Sequence, residues 1–152
     1  MIDHHCLLLR TTRNNALTLL KGLNDDQLNA IPDRFNNNLI WNLGHMLITQ
    51  QLLVYRLSGN NTFLSNELIE KYRKGSKPEG VIPNEEIENI KSWMIESADQ
   101  MERDFNLGLF KSYKEYTTSY GATLKSIEDA IIFNNMHESM HLGTMIALKK
   151  LV

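Results

Sequence analysis

Apolar residues recur at steps of three and four along four long stretches of this 152-residue chain. Nowhere do β-branched residues alternate with polar ones over a run long enough to seed a sheet, so the periodicity predicts an all-α fold. Leu8, Leu9, Thr12, Ala16, Leu19, Leu20 and Leu23 set a first helix over about 3 to 22, stopped near Gly22. Asn24, with Gln27 reaching back, caps a short turn of helix that Pro32 halts. Asn36 to Asn38 supply the N-cap of a second long helix running to Ser58, where Gly59 offers a left-handed stop.

A crossover from Gly59 to Pro83 comes next, holding one short helix, Asn66 to Lys74, between the cap Ser65 and the stop Gly75. Pro83, Asn84, Glu85 and Glu86 open a third long helix whose apolar stripe is Ile87, Ile90, Met94, Ala98, Met101 and Phe105. Residues 106 to 122 read as extended or looped. The fourth long helix starts at the capping box Ser126-x-x-Asp129 and ends with Lys149 and Lys150 at its negative pole. Four amphipathic helices of similar length with a long crossover between the second and third describe a single-domain four-helix bundle.

Polar residues sit inside two of those stripes. The second helix aligns Trp41, His45, Ile48, Leu52 and Tyr55; the fourth aligns Ile127, Ala130, Asn134, His137, His141, Thr144 and Leu148. His137 and His141, four residues apart, bring their Cβ atoms within about 5 to 6 Å, so both imidazoles can reach one ion. An unpartnered buried polar group costs roughly 1 to 3 kcal/mol, and three inward imidazoles need a reason. One inward histidine is ordinarily a core residue satisfied by a neighbour such as Asn42, Asn134 or Thr49. Three at matching depth on two helices favour a shared divalent metal. His4 and His5, at a helix start, read as solvent-facing or as a weak adjunct to the site.

Two motifs point elsewhere. HESMH, residues 137 to 141, fits the H-E-x-x-H of zinc peptidases, but Thr144 and Ala147 hold the positions where the extended pattern needs Gly and His. No acid or histidine follows His141 as third ligand. The string DHHC at 3 to 6 belongs, in acyltransferases, to cysteine-rich domains between membrane spans, and this chain has one cysteine, Cys6. With 16 Lys and Arg against 18 Asp and Glu, the formal charge of -2 gives no footprint for nucleic acid. The cluster Lys71, Arg73, Lys74, Lys77 reads as a solvated loop face. No apolar run approaches the roughly 18 residues of a membrane span, no signal-peptide series is visible, and the single cysteine suits a reducing compartment. The expectation is a cytoplasmic protein without membrane contact.

Three segments, WNLGHMLITQQLLVYRLSG (41 to 59), KYRKGSKPEG (71 to 80) and YTTSYGATLKSIEDAIIFNNMHESMHLG (116 to 143), together resemble the DinB superfamily. The branch most similar to this chain places a W-x-x-G-H helix before a final H-x-x-x-H helix. The resemblance implies an up-down-down-up bundle with a divalent metal, Zn, Ni or Fe, held by His45, His137 and His141, and a coordination position left open as in catalytic sites. It implies a thiol S-transferase or hydrolase acting on a small molecule, such as a low-molecular-weight thiol, with a non-catalytic stress-response or interaction module as the alternative. A homodimer through a helix face is the expected assembly. Glu138 is a weak candidate base, lying about 100° around the helix from His137, and more in keeping with an interface. Asn42 and Asn134, one turn before His45 and His137, are placed to orient a ligand or substrate, or equally to form an ordinary buried amide network. Tyr116, Thr117, Thr118 and Tyr120 are candidates for the mouth of the site.

Overall fold

The computed structural model describes residues 2–152. Helix α1 (Ile2–Leu20) is followed by α2 (Asp25–Asn29), whose Asn24 side chain accepts from Gln27 N while the Gln27 side chain accepts from Asn24 N. Helix α3 (Leu39–Gln50) begins at Asn38, whose Oδ1 accepts from Trp41 N. It continues as a π-helical segment (Gln51–Tyr55) and a 3₁₀ turn (Arg56–Ser58) before Gly59, at φ 78°, ends it. The sequence predicts the stop at Ser58 but not the π segment. A π segment widens the turn and shifts the helical phase of the residues after it. Leu53, Val54 and Tyr55 are all buried, whereas Leu52 turns partly outward.

The crossover carries α4 (Asn66–Tyr72), capped by Ser65 Oγ accepting from Leu68 N. It ends two residues before the Lys74 expected from the sequence, because Arg73 is extended, at ψ 162°. Helix α5 (Asn84–Asn106) buries Ile87, Ile90, Met94, Ala98 and Met101 as its stripe predicts, with Phe105 half-buried. In the loop after it, β1 (Tyr116–Thr117) pairs antiparallel with β2 (Thr123–Leu124), and Gly121 at φ 90° closes the turn. Helix α6 (Ile127–Lys149) starts at Ser126, whose Oγ accepts from Asp129 N, and Asp129 Oδ2 accepts from Lys125 N.

The protein is mostly helical. Helix α1 packs on α5 and α6, and α3 packs on the same two partners. Helix α6 therefore buries two faces, and its buried residues are Ile127, Ala130, Ile131, Asn134, Glu138, Met145 and Leu148. His137, His141 and Thr144, predicted at the centre of its stripe, lie half-buried at the border of that arc.

A belt of polar side chains crosses the interior. One apolar cluster includes Ala16, Ile48, Met94 and Met145; another includes Leu9, Val54, Ala98 and Ile131. Between them in sequence, each long helix contributes buried polar groups: Arg13 on α1, Gln50 and Gln51 at the end of α3, Ser97 on α5, Asn134 and Glu138 on α6. Arg13 and Glu138 both have 0% exposure. Arg13 Nε and Nη2 donate to the two carboxylate oxygens of Glu138 at 2.9 and 2.6 Å, and Nη1 donates to Met94 O and Ser97 Oγ at 2.6 and 2.7 Å. Asn134 Nδ2 donates to Glu138 Oε1 at 2.8 Å. A buried charge is tolerable only when it is paired and well hydrogen-bonded, and this network pairs Arg13 and engages four of its five N–H donors.

Candidate metal centre

His45 comes from the middle of α3, and His137 and His141 from adjacent turns of α6, where α3 and α6 pack together. One ring nitrogen from each lies within 4.8 Å of the others. The ring centroids are 5.2 Å (His45–His137), 4.8 Å (His45–His141) and 4.5 Å (His137–His141) apart. His4 and His5, on the first turn of α1, stand outside this cluster.

Two of the rings have their outward nitrogen fixed. His45 Nδ1 lies 2.7 Å from Tyr72 O, and His141 Nδ1 lies 2.9 Å from Asn42 Oδ1. An acceptor at Nδ1 holds the proton there and turns the lone pair to Nε2, which is how proteins prepare a histidine for a metal; at His45 that nitrogen has Thr49 Oγ1 at 3.4 Å. The Nδ1 of His137 is buried with no hydrogen-bond partner. A bare ring nitrogen beside two prepared rings is the kind of group a cation satisfies, so the donor set fits a divalent metal. Burial lowers the pKa of all three rings: that of His137 falls to about 3, with His141 and His45 adding repulsion, and that of His141 to about 4, with His45 adding repulsion. The rings are neutral near pH 7, the ligating form.

The sequence conceals what holds His45 in place. Trp41 stacks on its ring at 4.7 Å and 8°, and Trp41 Nε1 donates to Ser76 Oγ at 3.0 Å. Tyr72 O is left for His45 because the extended Arg73 ends α4, so no following turn of helix takes that carbonyl. The Tyr72 ring lies against Gly44, where an added Cβ would meet ring carbons at 2.5 to 2.8 Å. A glycine inside a buried helix costs roughly 1 kcal/mol of helix propensity, so its place next to His45 was the available signal of a close approach. Gly44→Ala is expected to cost about 1 to 3 kcal/mol through overpacking and to weaken metal binding about tenfold by displacing the Tyr72 carbonyl. Urea titration and metal titration of that variant test this; wild-type behaviour in both would show that the approach is not fixed.

Of the other residues singled out by the sequence, Asn42 holds His141 and also donates from Nδ2 to Asn38 O at 2.8 Å. Asn134 faces Glu138, and its Oδ1 is buried without a partner. Glu138 lies at a helix interface, the place that the sequence favours for it: its carboxylate is engaged by Arg13 and Asn134, and it lines neither cavity at the histidines. The widened buried arc of α6 explains this, since His137 and His141 border α3 while Glu138 meets α1.

Two cavities adjoin the cluster. One of about 240 Å³ is lined by His45 and His137 together with Leu52, Leu53, Phe133, Tyr116 and Thr118. The other, about 270 Å³, borders all three histidines and includes Tyr120, Met136 and Met140. Thr117, expected at the mouth, lines neither. Lys74, which the sequence assigns to a solvated basic face, lines both.

Comparison with known proteins bears on the fold and the family. A family model described as DinB superfamily matches residues 8–145. A crystal structure described as a conserved protein from Enterococcus faecalis superposes with a TM-score of 0.72 at 11% identity, covering 100% of this chain and 96% of that one, which is a likeness of fold. No curated protein matches the chain. Among the described residues, no helix is long and apolar enough to cross a membrane.

Proposed function

Because the chain belongs to the DinB superfamily, its residues 8–145 matching the family model, we propose that it is a metal-dependent enzyme, a thiol S-transferase or hydrolase working at His45, His137 and His141 on a small-molecule substrate. In this reading the long helices form an up-down-down-up bundle with the metal held between α3 and α6. The observation that carries it is the convergence of three ligating nitrogens within 4.8 Å beside open cavities.

A divalent ion at this site, Zn, Ni or Fe by donor type, supplies Lewis acidity that lowers the pKa of a thiol or water entering the cavity. The protein's own contribution is orientation and exclusion of water. Tyr72 and Asn42 fix the His45 and His141 rings, Trp41 covers one face of His45, and the leucines of the 240 Å³ cavity keep its wall dry. Neutral imidazole ligands leave the ion's charge undiminished, which suits activation of a thiol to a nucleophilic thiolate.

The test is turnover with a panel of low-molecular-weight thiols and electrophiles, alongside activated esters, using protein made without a histidine tag. Activity that vanishes with a chelator and returns with metal is the expected result. No turnover across the panel in metal-loaded protein would sink the enzymatic reading. A second reading, a non-catalytic module that dimerises, draws on the exposed apolar residues Ile132, Met136 and Met140, spaced by four on α6. It predicts a dimer whose formation is indifferent to the chelator.

A further inference from the structure

The 240 Å³ cavity beside His45 and His137 has an apolar wall of Leu52, Leu53, Leu57 and Phe133. A cavity of about 150 Å³ holds a benzene ring, so this one has room for a body of about ten heavy atoms. Its only charged lining residues besides the histidines are Arg56 and Lys74, and the adjoining 270 Å³ cavity again has Lys74 alone. The chain carries 18 acidic residues, yet none lines either cavity. Among the described residues, neither cation takes part in an ion pair.

Both cations line the cavity that His45 and His137 line, from its exposed side, with Arg56 Nη2 donating to Asn66 Oδ1 at 3.3 Å. Arg56 is the first residue after the π segment, whose change of phase sets the direction in which it leaves α3. Lys74 sits in the loop after α4, where Gly75 takes φ 89° and Ser76 Oγ is anchored both to Trp41 Nε1 and to Lys71 O. The same loop thus ends the helix that orients His45 and delivers a cation to the cavity. Three neutral imidazoles add no negative charge to offset either cation or a bound divalent ion.

We infer that this site takes an amphipathic organic anion, a carboxylate whose charged end is held by Arg56 and Lys74 and whose apolar body lies along the leucines and Phe133 toward His45 and His137. The inference rests on the reading that the histidine cluster and the cavity form one site, and it narrows the substrate class of that site. A neutral ligand of the same shape would gain no attraction from the two cations, and an acid-lined site would repel this one.

Calorimetric titration with octanoate and with its neutral counterpart octanamide tests it, using wild-type protein and an Arg56→Gln/Lys74→Gln variant, each in chelator-treated and zinc-loaded form. Octanoate is expected to bind metal-free wild type about tenfold more tightly than octanamide, a difference of about 1.4 kcal/mol. That advantage disappears in the double variant while octanamide affinity stays the same. Equal binding of the two compounds, or no binding of either, overturns the inference. So does an advantage that survives in the double variant or that arises only after zinc loading, because the carboxylate would then be seated at the histidines. The metal-free arm does not depend on metal binding, so a protein that fails to take up zinc counts against the proposed function without deciding this result.

Discussion

Arg13→Met is expected to destabilise the protein by about 3 to 5 kcal/mol, the range found when one member of a buried ion pair is removed. The cost does not come from losing an attraction. It comes from Glu138, which has 0% exposure and would be left with only Asn134 as donor. Such a loss is a large share of the roughly 5 to 15 kcal/mol that stabilises an ordinary domain. The double replacement Arg13→Met/Glu138→Leu is expected to recover most of it, since an apolar pair of similar volume needs no desolvation. Urea denaturation of the wild type, both single variants and the double variant closes the cycle. A loss below about 1 kcal/mol for Arg13→Met would mean that Glu138 is neutralised or hydrated in the fold.

His45→Ala is expected to lower divalent-metal affinity roughly 100- to 1,000-fold. Zinc sites of four ligands bind with about 10 to 16 kcal/mol, so one ligand accounts for about 3 to 4 kcal/mol. His45 is the informative choice because it alone comes from α3, whereas His137 and His141 share a helix and remain a weak two-point site without it. Competition titration against a chromogenic chelator measures the change. A companion Thr144→Ala, on the same border of α6 but outside the cluster, should leave affinity intact. Equal metal affinity in His45→Ala and wild type would remove the tri-histidine site altogether.

Local signals were legible in the sequence, and long-range pairings were not. Asn24, Asn38, Ser65 and Ser126 each cap the helix that the sequence assigns to them, because capping is decided within about three residues. The meeting of His45 with His137 and His141 followed from stripes at matching depth, and the structure does bring the three together. The pairing of Arg13 with Glu138 spans 125 residues; Arg13 stands between Leu9 and Ala16 at steps of four and three, and Glu138 four residues after Asn134, so both lie on buried stripes, and a reading that sends charged residues to the surface hides them. The π segment escapes for a related reason: nothing in Gln51–Tyr55 is unfit for an α-helix, and the phase change becomes favourable only through the packing around it. Tyr72 was invisible as a partner for His45 because it contributes a backbone carbonyl, which every residue has.

The belt of buried polar groups has a bearing on synthesis. Arg13 is made early, and its carboxylate partner arrives 125 residues later, on the last long helix. Closing a loop of that length costs about 4 kcal/mol in chain entropy. Until α6 has left the ribosome, a nascent chain that packed α1 against α5 would bury a guanidinium with only Met94 O and Ser97 Oγ to receive it. Collapse of α1 onto α5 alone is therefore penalised. His137 and His141 ride on that same final helix. The buried network and the histidine cluster both wait for α6.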